Sequence, residues 1–161
     1  MTPPEQLFAF ETLVAAHGKA VYNYLRLKLP GIHDAQDVLQ ETLLAAWRGF
    51  DAYRAQAAPR TWLLAIARHK CADFFRRAYG HPTEPLPSDD GLPYSDEEQT
   101  LDRIAVGDAL ESLSGADREL VYILYRAGLT YAEAADVLGV PEGTIKSRVA
   151  ALKAKLRAKL A

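Results

Sequence analysis

Between Gly80 and Gln99 the chain reads GHPTEPLPSDDGLPYSDEEQ, and no other stretch limits the possible folds so strongly. It holds four prolines, two glycines and six acids, with no lysine or arginine. Prolines remove backbone donors and fix φ, while neighbouring carboxylates repel one another, so the segment resists packing. It reads as a flexible acidic linker over 80–99, dividing the 161 residues into units of 1–79 and 100–161. Each unit lies near the lower size at which a hydrophobic core sustains itself.

Both units are expected to be helical. Leu7, Phe10, Val14, Val21, Leu25 and Leu29 recur at three- and four-residue steps, with Gly18 as a candidate break. After the turn PGIHD, Asp34 is placed to cap a second helix whose apolar stripe is Val38, Leu43, Trp47 and Phe50. Pro59 suits the opening of a third, with Trp62, Ile66, Cys71 and Phe74 or Phe75 facing inward. Beyond the linker, Leu101, Ile104, Ala105, Ala109, Leu110 and Leu113 mark one helix, and Leu120, Ile123 and Leu124 another that stops at Gly128. No stretch alternates with period two, so the expected class is all-α: two small helical domains joined by the linker.

The last third carries the densest local signal. Thr130 and Glu133 form a T-x-x-E capping box, Gly139 ends the short helix, and Pro141 starts the next. Ile145, Val149, Leu152, Leu156 and Leu160 mark the buried side of that second helix. A short helix, a glycine-bearing turn and a basic helix describe a helix-turn-helix. Thr144, Lys146, Ser147 and Arg148 lie opposite the packing stripe, where a recognition helix meets base edges, with Lys153, Lys155 and Arg157 available for phosphates.

Charge is sorted along the chain. The total is −2, yet residues 141–161 hold six bases and one acid. In PRTWLLAIARHKCADFFRR (59–77), Arg60, Arg68, His69, Lys70, Arg76 and Arg77 are too many to seat in a core, and Asp73 is the sole acid among them. Cations beside the aromatic, arginine-bearing loop FDAYRAQAA suit an unpaired strand, whose backbone follows charge and whose bases stack on rings. Asp34, Asp37, Gln40 and Glu41 instead form a polar, acidic stripe on one helix face, either solvated or a protein-docking surface.

Little supports catalysis. Cys71 is alone among apolar neighbours with no base partner in view, and His17, His33, His69 and His81 show no metal-ligand spacing. The expectation is no enzyme, no metal and no cofactor. One cysteine, no long apolar run and no leader-like start point to a cytoplasmic protein without membrane insertion.

The order of DAQDVLQETLLAAWRGFDAYR, PRTWLLAIARHKCADFFRR, an acidic linker and LTYAEAADVLGVPEGTIKSRV resembles bacterial extracytoplasmic-function (ECF, group IV) sigma factors, from about residue 7 to 160. The resemblance implies a protein that binds core RNA polymerase and directs promoter-specific initiation. It implies docking of Asp34, Asp37, Gln40 and Glu41 on the clamp helices of the largest polymerase subunit. It implies a −10 reader that catches a flipped, unpaired base with Tyr53, Arg54, Arg60 and Thr61 from the loop side. Ile66, Ala67, His69, Lys70 and Asp73 match its helix face, with Arg76 and Arg77 nearby. The C-terminal domain would place Lys146, Ser147 and Arg148 in the major groove of a −35 element and contact the polymerase flap. Promoter DNA and an anti-sigma factor are further implied partners, and the linker would run towards the polymerase active centre.

Two features depart from the pattern: relatives often carry asparagine at His69, and a bulky or basic pair at Ala150 and Ala151. On the residues alone, a helix-turn-helix regulator binding duplex DNA as a dimer is the alternative.

Overall fold

A computed structural model describes residues 2–80 and 112–160, and every regular element among them is helical. Helix α1 (Pro3–Lys28) starts from a capping box in which Thr2 Oγ1 accepts from Glu5 N and Glu5 returns a carboxylate to Thr2 N. It runs straight through Gly18, contrary to the expected break. A Cβ there would meet Val14 Cγ1 at an ordinary 3.5 Å, so the backbone is under no constraint. The glycine's propensity cost, about 1 kcal/mol, is outweighed by burial of Val21, Tyr24 and Leu25 on the following turns.

Helix α2 (Ile32–Gly49) is capped by Gly31 with no side-chain bond, so Asp34 sits inside the first turn instead of at the cap. Its carboxylate there still opposes the helix dipole. The buried face is Ala35, Val38, Thr42 and Ala46, rotated from the expected stripe; Leu43 and Phe50 are half-buried and Trp47 is 39% exposed. Thr42 is tolerated inside because its hydroxyl donates to Val38 O at 2.7 Å. A 3-10 turn (Phe50–Ala52) and a loop lead to α3 (Pro59–Tyr79), which opens on proline as expected and ends on Gly80 at φ +79°. Its buried face is led by Leu63, Leu64, Ala67, Cys71 and Phe75, whereas Trp62 and Ile66 are half-buried.

The C-terminal part begins with α4 (Gly115–Val121), capped by Ser114, and a π-helical turn (Tyr122–Arg126) that closes on Gly128 at φ +77°. Then come α5 (Tyr131–Leu138) and α6 (Glu142–Leu160). The expected capping box of Thr130 and Glu133 is present, and Gly139 takes φ +68° at the turn. Ile145, Val149 and Leu152 are buried, while Leu156 is half-buried and Leu160 half-exposed. Apart from Gly80, Ser112 and Leu113, the expected linker, the expected helix over 101–113 and His81 lie outside the described residues, and Ser112 and Leu113 form a turn and bend before α4.

The three N-terminal helices pack pairwise on one another, and α5 packs on α6. The two parts also meet: α3 lies against α5, and α1 against α4. One buried apolar cluster runs from Val21, Leu25 and Leu64 to Leu120, Ile123 and Ala134.

Two glycines of the helix-turn-helix should respond oppositely to alanine. Gly139→Ala forces a side chain into the left-handed region and should lower unfolding free energy by about 1 kcal/mol. Gly143 lies in α6 with open space around its missing Cβ, so Gly143→Ala should raise it by about 0.5 kcal/mol. Urea unfolding of both variants checks the pair, and equal signs would contradict the turn geometry.

Candidate nucleic-acid interface

Three surfaces gather the residues singled out by sequence. The first is the polar stripe of α2. Asp37 and Gln40 are exposed, Asp34 and Glu41 half-buried. Asp34, Asp37, Val38 and Glu41 face Phe74, Arg77 and Ala78 of α3 across an open groove of about 410 Å³. Three acids and one arginine line it together with the apolar Val38, Phe74 and Ala78. Arg77 Nη2 donates to both carboxylate oxygens of Glu41 at 3.3 Å, so Arg77 sits on this groove.

The second surface is the loop before α3 and the helix's outer face. Tyr53 stacks on Trp62, ring centroids 4.3 Å apart and planes 15° from parallel. Its hydroxyl donates to Ala57 O, and burial raises its pKa. Arg54 is exposed; its guanidinium donates to Asp51 O, and its backbone N to Gln56 Oε1 at 3.0 Å. Ala55 holds φ +58°, so this loop is folded on itself by local bonds around a left-handed residue. Further along, His69 is exposed. Asp73 stands between Lys70 at 3.9 Å and Arg76 at 3.1 Å, which partly neutralises that end.

The N-terminal half of α3 is placed differently. Arg60 Nη1 donates to Ala127 O at 2.8 Å, and its Nε to His17 Nδ1 at 3.3 Å. Thr61, 2% exposed, donates to Glu133 Oε2 at 2.9 Å. Arg68 Nε reaches Glu119 Oε1 at 3.3 Å. Ile66 is half-buried, and Ala67 has no exposed surface. In this arrangement Arg60, Thr61 and Arg68 face α4, α5 and the turn between them.

Glu119 was not legible as important, since nothing in ADRELV marks an acid that leaves the surface. It is 5% exposed, and its carboxylate accepts from Tyr24 Oη at 3.1 Å, from Arg68 and from Lys28 Nζ. Burial first, and then the carboxylate, push the Tyr24 phenol well above its ordinary pKa, so it remains a donor. Tyr122 Oη donates to Ala20 O at 2.6 Å, and burial pushes that phenol up to about 12. Glu133 is held below its ordinary value, chiefly by the Thr130 backbone N–H and also by the Thr61 hydroxyl.

The third surface is α6. Lys146, Ser147, Arg148 and Lys153 are exposed on the side away from Ile145, Val149 and Leu152, and Thr144 is half-buried. Ser147 Oγ donates to Gly143 O at 3.1 Å, and Lys146 lies 4.0 Å from Glu142. Lys155 instead pairs with Asp117 at 2.8 Å, tying the helix to α4. Among the described residues no group of His, Cys, Asp and Glu is placed to hold a metal ion. No described helix is long and apolar enough to cross a membrane.

Comparison with known proteins follows the same division. The model of Sigma-70 region 2 matches residues 13–80, and that of Sigma-70, region 4 matches 103–156. The ECF RNA polymerase sigma factor SigM of Mycobacterium tuberculosis (strain Erdman) is 38% identical over 150 residues, covering 92% of this chain and 76% of SigM. Among solved structures, CnrH in complex with the cytosolic domain of CnrY gives a TM-score of 0.65 at 30% identity, over 96% of this chain and 88% of that one. The sigma factor RpoE of Bartonella quintana, in complex with the anti-sigma factor NepR, gives 0.61 at 25% identity, over 98% and 94%.

His17 offers a check on the contact with Arg60. Burial and the adjacent guanidinium both lower its pKa from 6.5, and only the neutral ring accepts from Arg60 Nε. A depressed histidine pKa means stability present at neutral pH and lost as pH falls below about 6.5. NMR titration should place His17 below 6.5, and Arg60→Gln should move it upward. A midpoint at or above 6.5 in the unaltered protein would remove this contact.

Proposed function

The chain belongs to the ECF RNA polymerase sigma factors, and on that premise we propose that it binds core polymerase and directs initiation by reading two promoter elements. The observation that carries this reading is the order of the two matched regions on one chain, each ending in a helix with a cationic face. A duplex-binding dimeric regulator would have no need of the first region and is not favoured.

In this reading, residues 1–79 dock and read the −10 element, 80–99 connect, and 100–161 read the −35 element. Asp34, Asp37, Gln40 and Glu41 dock on the clamp helices of the largest polymerase subunit. Three acids beside the apolar Val38 and Phe74 suit a basic helical partner. Tyr53, Arg54, Arg60, Thr61, Ile66, His69, Lys70, Asp73 and Arg76 hold the −10 strand. Ala67 has no exposed surface and supports them from the core, and Arg77 is paired with Glu41 on the docking groove. Opening a duplex costs stacking energy, and rings and cations that take up the exposed strand offset it. A flipped base adds selectivity, because a wrong base fills its pocket badly. His69, exposed where relatives often carry asparagine, contributes a ring at that pocket in place of an amide.

Thr144, Lys146, Ser147, Arg148 and Lys153 read the −35 duplex from α6, and the same lobe touches the flap of the second-largest subunit. Ala150 and Ala151 offer no bidentate contact, each of which is worth about 1–3 kcal/mol of discrimination. Neither part needs high affinity alone, since tethering to one polymerase raises effective concentration. The protein acts where polymerase is, in the cytoplasm. CnrH is bound by the cytosolic domain of CnrY and RpoE by the anti-sigma factor NepR; an anti-sigma partner for this chain is inferred by analogy.

Core polymerase mixed with this protein and a genomic promoter library should start transcripts at a defined promoter set, mapped by sequencing 5′ ends. No gain over core alone would end the sigma reading. Asp37→Arg should weaken core binding at least tenfold in a pull-down titration with helix content unchanged; unaltered affinity would clear the α2 stripe of this role. Lys146→Ala should reduce the slope of log affinity against log salt for −35 duplex by about 1.

A further inference from the structure

Helix α6 is basic along its length and carries a single acid, Glu142, at its first position. An acid there opposes the helix dipole, yet it also stands at the end of a recognition helix that meets base edges, between phosphates that repel it. Its side chain is 49% exposed and lies 4.0 Å from Lys146, which is 64% exposed. We propose that Glu142 and Lys146 together read one C·G base pair of the −35 duplex, Glu142 accepting from cytosine N4 and Lys146 donating to guanine O6 or N7. This inference rests on the assignment of α6 to that duplex and adds Glu142 to it.

Three observations carry it. First, the spacing matches the base edge. Residues i and i+4 share one helix face, and here they bring a carboxylate oxygen and an ammonium to 4.0 Å. In the major groove, cytosine N4 and guanine O6 of one pair lie side by side, a donor next to an acceptor, in the complementary order. Both side chains are well solvated, so their mutual bond is weak and exchanging it for base edges costs little. Secondly, the neighbouring surface favours close approach and acceptance. Gly143 is exposed, with nothing within 4 Å of where a Cβ would stand. Ser147 Oγ donates to Gly143 O at 3.1 Å, so towards the groove it offers lone pairs and it too accepts. Thirdly, Ala150 and Ala151 are exposed further along and carry no polar group. Base selection is thereby confined to the first two turns, where Glu142 stands.

A carboxylate only accepts, and this decides the base. Guanine and thymine present acceptors in the major groove, and adenine sets its N7 acceptor beside its N6 donor; cytosine presents the N4 donor by itself. Glu142 therefore favours cytosine and rejects guanine, raising specificity while lowering affinity for a polyanion.

The probe is a duplex library with a randomised −35 segment, read by sequencing the bound fraction. It is used with the full-length protein alone at low salt and with the protein on core polymerase. The unaltered protein should enrich cytosine at one position. Glu142→Gln should reduce that enrichment about tenfold and shift the same position towards adenine, whose N6 and N7 suit an amide, while overall affinity rises. Lys146→Ala should relax the same base pair while overall affinity falls. An acid that merely opposes the helix dipole would alter stability and total affinity but no base preference.

Both side chains are exposed, and circular dichroism at unchanged helix content establishes that the variants are folded. Unchanged preference at every position, or a loss spread evenly over all positions, overturns the proposal. Relaxation of different base pairs by the two variants also overturns it. A cytosine position selected by the protein alone, without core-dependent initiation, would sink the sigma reading and leave the base reading standing. Core-dependent initiation with no such position would do the reverse.

Discussion

The buried carboxylate of Glu119 is the contact on which the arrangement of this molecule turns. A charge at 5% exposure persists only where opposite charges and donors face it, and here they come from α1 and α3, more than fifty positions earlier in the chain. Apolar packing supplies most of the attraction between the two parts, because each is small and leaves apolar surface that only a neighbour can cover. Apolar contact tolerates sliding. The polar bonds do not: Tyr24 and Lys28 on α1, Arg60, Thr61 and Arg68 on α3, and the carbonyls of Ala20 and Ala127 each require one relative placement of the lobes. Specific registration is the role best attested for buried polar groups, and this interface has that form.

The same bonds explain why such an interface can part. The donors on α3 are unequally enclosed: Thr61 is 2% exposed, whereas the Arg68 side chain is 44% exposed, so water competes for Arg68 as soon as the lobes separate slightly. Lys28, at 15%, loses more on opening, and Glu119 most of all. The polar share of the cost is thus concentrated on one acid, while the shared apolar cluster supplies the rest.

How much of this was legible in the sequence follows from the range of each interaction. The capping box at Thr130 and Glu133, the glycine at 139 and the proline at 59 are local rules satisfied within four residues, and all three stand as read. Gly18 was misjudged because propensity is a weak prior that tertiary burial of Val21 and Tyr24 overrides. The face of α2 was misplaced by about one residue because Trp47 and Phe50 drew the stripe towards the largest side chains. The small residues Ala35, Thr42 and Ala46 in fact lie where the helices approach closely. Glu119 could not be found at all, since its partners are 91 and 95 positions away for Lys28 and Tyr24. The outer faces of α3 and α6 were legible as cationic, yet sequence could not say that the first half of α3 is turned inward.

Geometry adds a constraint independent of any single bond. Two elements centred about 25 base pairs apart, as the −10 and −35 designations state, are separated by about 85 Å along straight duplex at roughly 3.4 Å per step. A closed chain of 161 residues has a radius of gyration of about 15 Å, so the packed lobes cannot reach both elements together. Covalent reach is sufficient: the 31 residues between Gly80 and Ser112 can span up to about 100 Å when extended. In the proposed reading, the closed molecule and the promoter-bound molecule therefore differ in the separation of their lobes. On the same reading, a partner that holds the lobes apart to bring α6 to its duplex also breaks the contacts that Arg60, Thr61 and Arg68 make with the C-terminal part.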